Sequence, residues 1–262
     1  MTRTKNSSLT NALRILKCFS IDQTELTLDE IATMNNISKS TACRLVQTLE
    51  SEGFVIQNTR YNTYHLGLSM LYLSNVMLER FYTLKDMTRY LINLTDQTGE
   101  SSHIAVLQGN QILYLKKEDN QYQVHLRSHV GRRNSAHCTA SGLALLAYLD
   151  EKTLRQLYKD GFERPTKNSI SSIDALLKRL ENGRKQGYFI SDGEMVENVL
   201  AVGAPIFNED GSVFTSISIA GLQSRVRPQL SKIVKLVKET SDDLSKLIQQ
   251  SKEPLAYETF IR

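Results

Sequence analysis

Three cysteines, Cys18, Cys43 and Cys138, are all that this 262-residue chain contains, widely spaced and odd in number. They allow neither a disulfide framework nor a Cys-x-x-Cys metal site. Long apolar runs are also scarce: the longest, Leu143 to Leu149, is too short to span a bilayer. Met1 to Ser8 is polar and lacks the apolar centre of a signal peptide, so the expectation is a cytoplasmic protein. No strong excess of charge exists, since the formal net charge is +4 with a pI near 8.8. Within residues 1–66, seven cations (Arg3, Lys5, Arg14, Lys17, Lys39, Arg44, Arg60) face six acids (Asp22, Glu25, Asp29, Glu30, Glu50, Glu52). A nucleic-acid partner would therefore have to be met by cations placed on one face, because net charge does not argue for one. A Gly-rich phosphate loop, a paired-carboxylate motif and a Ser-x-Gly elbow are missing too, so no cofactor is implied and an enzyme reading lacks its nucleophile and base. What remains is a globular composition, 40% hydrophobic and 23% charged, long enough for one large domain or two ordinary ones.

The stretch that organises the rest runs from Ile37 to Leu49. Ser38 is a good helix cap, and no Gly, Pro or acid interrupts the run before Glu50. Ala42, Leu45, Val46 and Leu49 make one apolar stripe at helical spacing. The other face carries Lys39, Ser40, Cys43, Arg44, Gln47 and Thr48, with Thr41 in the first turn. Hydroxyls, an amide and two cations suit phosphate oxygens and major-groove base edges. An ordinary amphipathic helix with a solvated face has the same pattern, so the neighbours decide.

Upstream, Leu9, Ala12, Leu13, Leu16 and Phe19 predict a helix over about 8–19. Thr27 and Glu30 form a capping-box pair that opens a second helix burying Leu28, Ile31 and Ala32. Asn35-Asn36 supplies the tight turn, since Asn tolerates the left-handed conformation, and Ile37 plugs its inside. Downstream, Gly53 stops the third helix, and strands at 54–57 and 63–66 flank a polar turn with Arg60 at its tip. Three helices followed by a hairpin are a winged helix-turn-helix, with Arg60 where a wing meets phosphates or the minor groove.

These residues resemble the IclR family of bacterial transcription regulators. The family's Ser-x-Ser-Thr, Arg-Leu and Thr-Leu pattern is matched at Ser38, Ser40, Thr41, Arg44, Leu45, Thr48 and Leu49, and its Tyr-x-Leu-Gly at Tyr64, Leu66 and Gly67.

Beyond Gly67 the pattern is helical to Thr98-Gly99, with a break near Phe81-Tyr82; its first half is a candidate linker helix. Strands are expected at 103–107 and 112–115, with a third at 123–126, then a polar loop from Ser128 to His137 carrying Arg132 and Arg133. Helices follow at 141–149, 151–159 and from Ser171 or Ser172 to Gln186, then strands at 188–191, 200–207 and 212–220. A last amphipathic helix is expected from Pro228 to about Gln250. The expected fold is α+β: a winged helix-turn-helix domain at 1–66, a linker helix at 67–80 and an antiparallel-sheet domain at 81–262.

The resemblance extends through Gly131, the run His137 to Gly142, Gly187-Tyr188, Asp192, Glu194, Ala204-Pro205-Ile206 and the run Ser216 to Gly221. It implies a GAF-like second domain that binds a small effector. The family's pocket residues would fall on Leu126, Asn134, Ala140, Ser141, Ser191, Val199, Ala201, Ser218 and Ala220. Departures lie at Ser191 (often Asp in relatives), Ala201 (often Cys), Ala220 (often Ser), Asn198 (usually Gly) and Leu143 (usually Lys), so one pocket wall is less polar.

Independently of any resemblance, a helix starting at Thr139 or Ala140 offers free N–H groups to an anion, with the Ser141 and Ser218 hydroxyls beside it. Plain helix–sheet packing accounts for those serines equally well. Arg127, Arg132 and Arg133 suit a carboxylate, and suit a solvated loop or a subunit interface just as well. His103, His137 and Cys138 are the residues zinc or thiol chemistry would use, although a small buried cysteine is the plainer reading, and no metal is expected. Two functions follow. One is a transcription regulator, expected to be a repressor, that binds double-stranded operator DNA as a homodimer or dimer of dimers and answers to a small anionic organic or sugar acid. The other is a GAF-like small-molecule enzyme or sensor that uses its winged helix to hold a partner.

Overall fold

The computed structural model describes residues 7–79, 82–120, 126 and 128–250. The chain divides into two compact units between residues 80 and 81.

In the first unit, α1 (Ser8–Leu16) is capped by the Ser7 hydroxyl, which accepts from the Thr10 amide. It ends three residues short of the expected Phe19, because the Cys18 amide turns back to the Ile15 carbonyl. A two-residue strand that periodicity does not reveal, β1 (Leu26–Thr27), precedes α2 (Leu28–Asn35). Both halves of the Thr27–Glu30 capping box are formed, and Asn36 takes the left-handed conformation at φ 51°. The third helix, α3 (Lys39–Ser51), begins on the Ser38 hydroxyl, which accepts from the Thr41 amide. Strands β2 (Val55–Asn58) and β3 (Thr63–Leu66) complete a three-stranded antiparallel sheet in the order β1-β3-β2. Ile15, Leu26, Ile31, Ala42, Val46 and Val55 are buried together, each large side chain contributing about 1.5–3 kcal/mol. This is a winged helix-turn-helix.

The helix that follows, α4 (Leu68–Glu79), leaves directly from the end of this sheet. Gly67 makes the junction. Its amide donates to the Phe54 carbonyl at 2.8 Å, and a Cβ there would lie 2.1 Å from the Gly53 carbonyl oxygen. Ser69 donates from its amide to Gly53 and from its hydroxyl to Glu52, so the first turn of α4 is bonded to the chain just past α3.

The second unit opens with α5 (Tyr82–Thr98); of the break expected near Phe81-Tyr82, residue 81 lies outside the described residues. Strands β4 (Ser101–Gln108) and β5 (Gln111–Glu118) form the expected hairpin. The expected third strand at 123–126 also falls largely outside the described residues. The polar loop holds a strand that was not expected, β6 (Arg133–Ser135), paired to β5. A 3-10 turn at Ala136–Cys138 leads into α6 (Ala140–Leu146), then α7 (Glu151–Leu157) and α8 (Ile173–Gln186). Strands β7 (Phe189–Asp192), β8 (Val199–Phe207) and β9 (Val213–Leu222) close the sheet. Helical structure resumes at α9 (Gln223–Val226), before the expected Pro228, passes through a 3-10 turn and ends in α10 (Leu230–Gln250).

The six strands run in the order β6-β5-β4-β9-β8-β7, every neighbouring pair antiparallel. Each face is covered by helices. Ile104, Leu200, Val202, Ile217 and Ile219 pack with Leu91 of α5 and Ile233, Val237 and Leu244 of α10. On the opposite face Ala105, Leu107 and Phe189 pack with Leu143 and Leu146 of α6, Leu154 of α7 and Leu176 of α8. Arg225 grips the buried Glu100 carboxylate with two hydrogen bonds of 2.7 and 2.6 Å, tying α9 to the start of β4. Among the described residues, no helix is long and apolar enough to cross a membrane.

Candidate functional site

The polar face of α3 is open. Ala42, Leu45, Val46 and Leu49 are buried, whereas Lys39, Ser40, Arg44, Gln47 and Thr48 are exposed. Two members of the expected set are committed locally. Thr41 is half-buried, with its hydroxyl 2.8 Å from that of Ser38, so it belongs to the cap. Lys39 reaches back to Asp29 of α2, with Nζ 2.8 and 2.9 Å from the two carboxylate oxygens. Cys43 is half-buried on the same helix. In the hairpin, Arg60 is exposed at the turn, its guanidinium 5.4 Å from the Tyr61 ring centroid. Asn62, with φ 53°, gives the turn its left-handed residue.

In the second unit, register gathers part of the expected pocket. Directly opposed residues of antiparallel strands point to one face. Ser191 of β7, Ala201 of β8 and Ala220 of β9 therefore form one row, with Val199 one pleat away along β8. The next row carries Gly203 and Ser218. A Cβ on Gly203 would lie 2.8 Å from the Ala140 carbonyl, so only glycine lets α6 seat on the sheet here. Ser141 then donates to Ser218 at 2.7 Å, and Ser191 donates to the Cys138 carbonyl at 2.7 Å. All three serines are buried, but Val199, Ala201 and Ala220 are only half-buried although they lie on the central strands β8 and β9. The two alanines and Val199 are thus the less covered members of this face. Leu126 is buried. Asn134 is not part of this row: it sits on β6, three strands from Ala220, and hydrogen-bonds Tyr114. Arg133 is exposed on the same edge strand, and Arg127 lies outside the described residues.

His103, His137 and Cys138 take separate roles. His103 of β4 is buried, its Nε2 lies 2.8 Å from the Ser128 hydroxyl, and burial pushes its pKa down to about 3. His137 lies 2.8 Å from the Glu163 carbonyl and packs edge-on against Tyr158 and Phe162. Burial pushes the Cys138 thiol up to about 12, so it stays protonated at neutral pH and is a poor nucleophile. Among the described residues, no group of His, Cys, Asp or Glu is placed to hold a metal ion. Sequence reading passed over two other groups on the α6 side of the sheet, Ser101 and Lys117. Their signal was only the alternation along β4 and β5, which is weak where charged residues crowd a strand end.

A winged helix-turn-helix joined in one chain to a helix-covered antiparallel sheet is the make-up of a bacterial transcription regulator. The chain belongs to the IclR family. Residues 8–59 match the IclR helix-turn-helix domain, and residues 76–246 match the C-terminal domain of bacterial IclR transcriptional regulators. It is similar to the HTH-type transcriptional regulator XynR of Escherichia coli K12, 30% identical over 84% of this chain and 87% of that one. It is also similar to the regulator KdgR of Dickeya chrysanthemi, 31% identical over 79% and 70% of the two chains. Among solved structures, the IclR regulator of Alicyclobacillus acidocaldarius superposes with a TM-score of 0.80 at 27% identity, covering 91% of this chain and 97% of that one. The protein is accordingly a DNA-binding transcription regulator, and its family is one of regulators.

Proposed function

We propose that this regulator is a repressor released from its operator by a small acidic effector bound in the second unit. Residues 1–66 would hold DNA, residues 67–80 would link, and residues 81–262 would sense. On DNA, Arg44 and Gln47 read base edges from the open face of α3, while Lys39, Ser40, Thr48 and Arg60 meet phosphates. Thr41 serves mainly to fix the helix start. The effector lies over Ala201 and Ala220, flanked by Val199, Ser191, Ala140 and the Ser141–Ser218 pair, with Leu126 closing one side. The observation that carries this is the half-buried state of Val199, Ala201 and Ala220 beside the buried Ser191, Ser141 and Ser218.

Dimerisation follows from α4. Leu68, Leu71, Tyr72 and Val76 are each at least half exposed, an apolar surface a lone chain would leave in water. Two chains paired through it present two winged helices to a two-fold operator.

The test is binding to promoter DNA across a salt series, repeated with organic acids and sugar acids that raise thermal stability. Specific affinity falling steeply with salt, and lost on adding a stabilising acid, is the expected result. In a transcription assay the protein should lower output and the acid should restore it. Indifference of DNA binding to every stabilising acid would remove the effector role.

A further inference from the structure

The row next to the alanines holds more than Ser218. Its register continues from Ser218 of β9 to His103 of β4 and on to Lys117 of β5, so all three share the face that carries the alanine row. The alanine row likewise continues from Ala220 to Ser101 of β4. Lys117 is unusual for a lysine: its side chain is only 15% exposed. Its Nζ meets Oδ1 of Asp119 at 2.5 Å, and the Ser101 hydroxyl lies 3.5 Å from that same oxygen. One carboxylate oxygen thus faces an ammonium and a hydroxyl, beside Ala220. Asp119 itself is 69% exposed, and the next residue is fixed independently. The Asn120 side-chain amide donates to the Gly99 carbonyl at 3.1 Å and to the buried Glu100 carboxylate at 3.2 Å. Asp119 can therefore swing away by side-chain rotation while the backbone stays in place.

We propose that Lys117 is the counter-ion for the effector's acidic group, and that Asp119 holds the anion position until a ligand carboxylate displaces it. This rests on the second unit being the effector-binding one. Exchanging one carboxylate for another keeps the sunken ammonium paired throughout, avoiding the cost of a desolvated single charge. Neighbouring strands are about 4.8 Å apart, so roughly 10 Å separate β9 from β5, a gap the lysine stem and a small ligand close together. His103 brings no second cation, since burial keeps it neutral and Ser128 holds its Nε2. The sunken ammonium of Lys117 beside a floor of Ala201, Ala220 and Val199 suits a carboxylic acid with an apolar body. Hydroxyls of a polyhydroxylated acid set over the alanines and Val199 would go unpaired there.

The experiment is calorimetric titration of the full-length chain with benzoate and valerate, each against its uncharged amide. Asp119→Asn removes the internal competitor and should tighten both acids about tenfold, leaving the amides unchanged. Adding Lys117→Gln to that variant should abolish the gain. Equal affinities in wild type and Asp119→Asn, a gain that survives Lys117→Gln, or acids that bind no variant would each overturn the assignment. Failure of the regulator role reads differently: acids bind in the Lys117-dependent way, yet operator occupancy ignores them.

Discussion

Arg44 stands in the middle of the open face of α3, exposed, with Leu45 and Val46 holding the helix from behind. Arg44→Ala should cost about 1–3 kcal/mol of specific operator binding, read by a mobility shift at fixed salt with competitor DNA. Unchanged affinity in a folded variant would move the recognition face elsewhere. At this scale the sequence was most legible where chemistry is local. Ser38, Thr27, Glu30 and Asn36 each do what their side chains dictate within a few bonds. Lys39 was harder to read, because its partner Asp29 lies ten residues away on another helix. Glu194 shows the same limit. It is buried with one oxygen 2.8 Å from Arg179, and burial outweighs that cation, raising its pKa from 4.5 to about 7. A raised carboxyl pKa stabilises the fold below the unfolded value, and this contribution is lost as pH rises through the folded one. Wild type should therefore lose stability between about pH 4.5 and 7 relative to Glu194→Gln. Urea midpoints of the two proteins at several pH values would show it, and parallel curves would count against the shift.

Helices and strands announce themselves in proportion to their length and to the signals at their ends. The 13-residue α3 and the 14-residue α8 carry a cap, a full apolar stripe and a stop, and both were readable. The two-residue β1 and three-residue β6 have no room for alternation and exist because a longer strand lies beside them. Caps make a direct test. Ser38→Ala removes the acceptor for the Thr41 amide and should cost about 1 kcal/mol of stability. Denaturant midpoints would report the loss, and DNA affinity should fall with it because Lys39 and Ser40 lie in the first turn. The junction between β3 and α4 is closely packed at Gly67. Gly67→Ala would set a methyl against the Gly53 carbonyl, so the first turn of α4 must lift from the end of α3. Weaker operator binding with an intact second unit is the expected result, checked by calorimetry of a stabilising acid. Full DNA affinity in this variant would mean that the junction does not align α3.

For the whole molecule, α4 is the last helix of the first unit, so the covalent route from the second unit to the winged helix runs through it. Inserting two glycines near Asn75 breaks helix and register, each interior Gly costing about 1 kcal/mol. Effector binding should survive, while operator binding weakens and stops responding. Linkage requires that operator shift effector affinity by the same factor as effector shifts operator affinity, typically about 5- to 150-fold. Titration of effector into the variant with and without operator decides the matter, and coupling that persists would exclude α4 as the carrier. Light scattering at micromolar concentration should find at least a dimer. A monomer that still holds its operator tightly would contradict pairing through the exposed apolar residues of α4.

Cys43 gives the protein a reporter of its own. One of the three thiols, Cys138, is buried and protonated, whereas Cys43 is half-exposed on the helix proposed to enter the groove. In a Cys18→Ser background, since Cys18 is equally half-exposed, a maleimide should modify Cys43 in the free protein and spare it on bound operator. Labelling kinetics would then count occupied sites without a dye on the DNA. The same thiol is a liability in storage, since oxidation at Cys43 would strike the helix proposed to read DNA and leave the second unit intact.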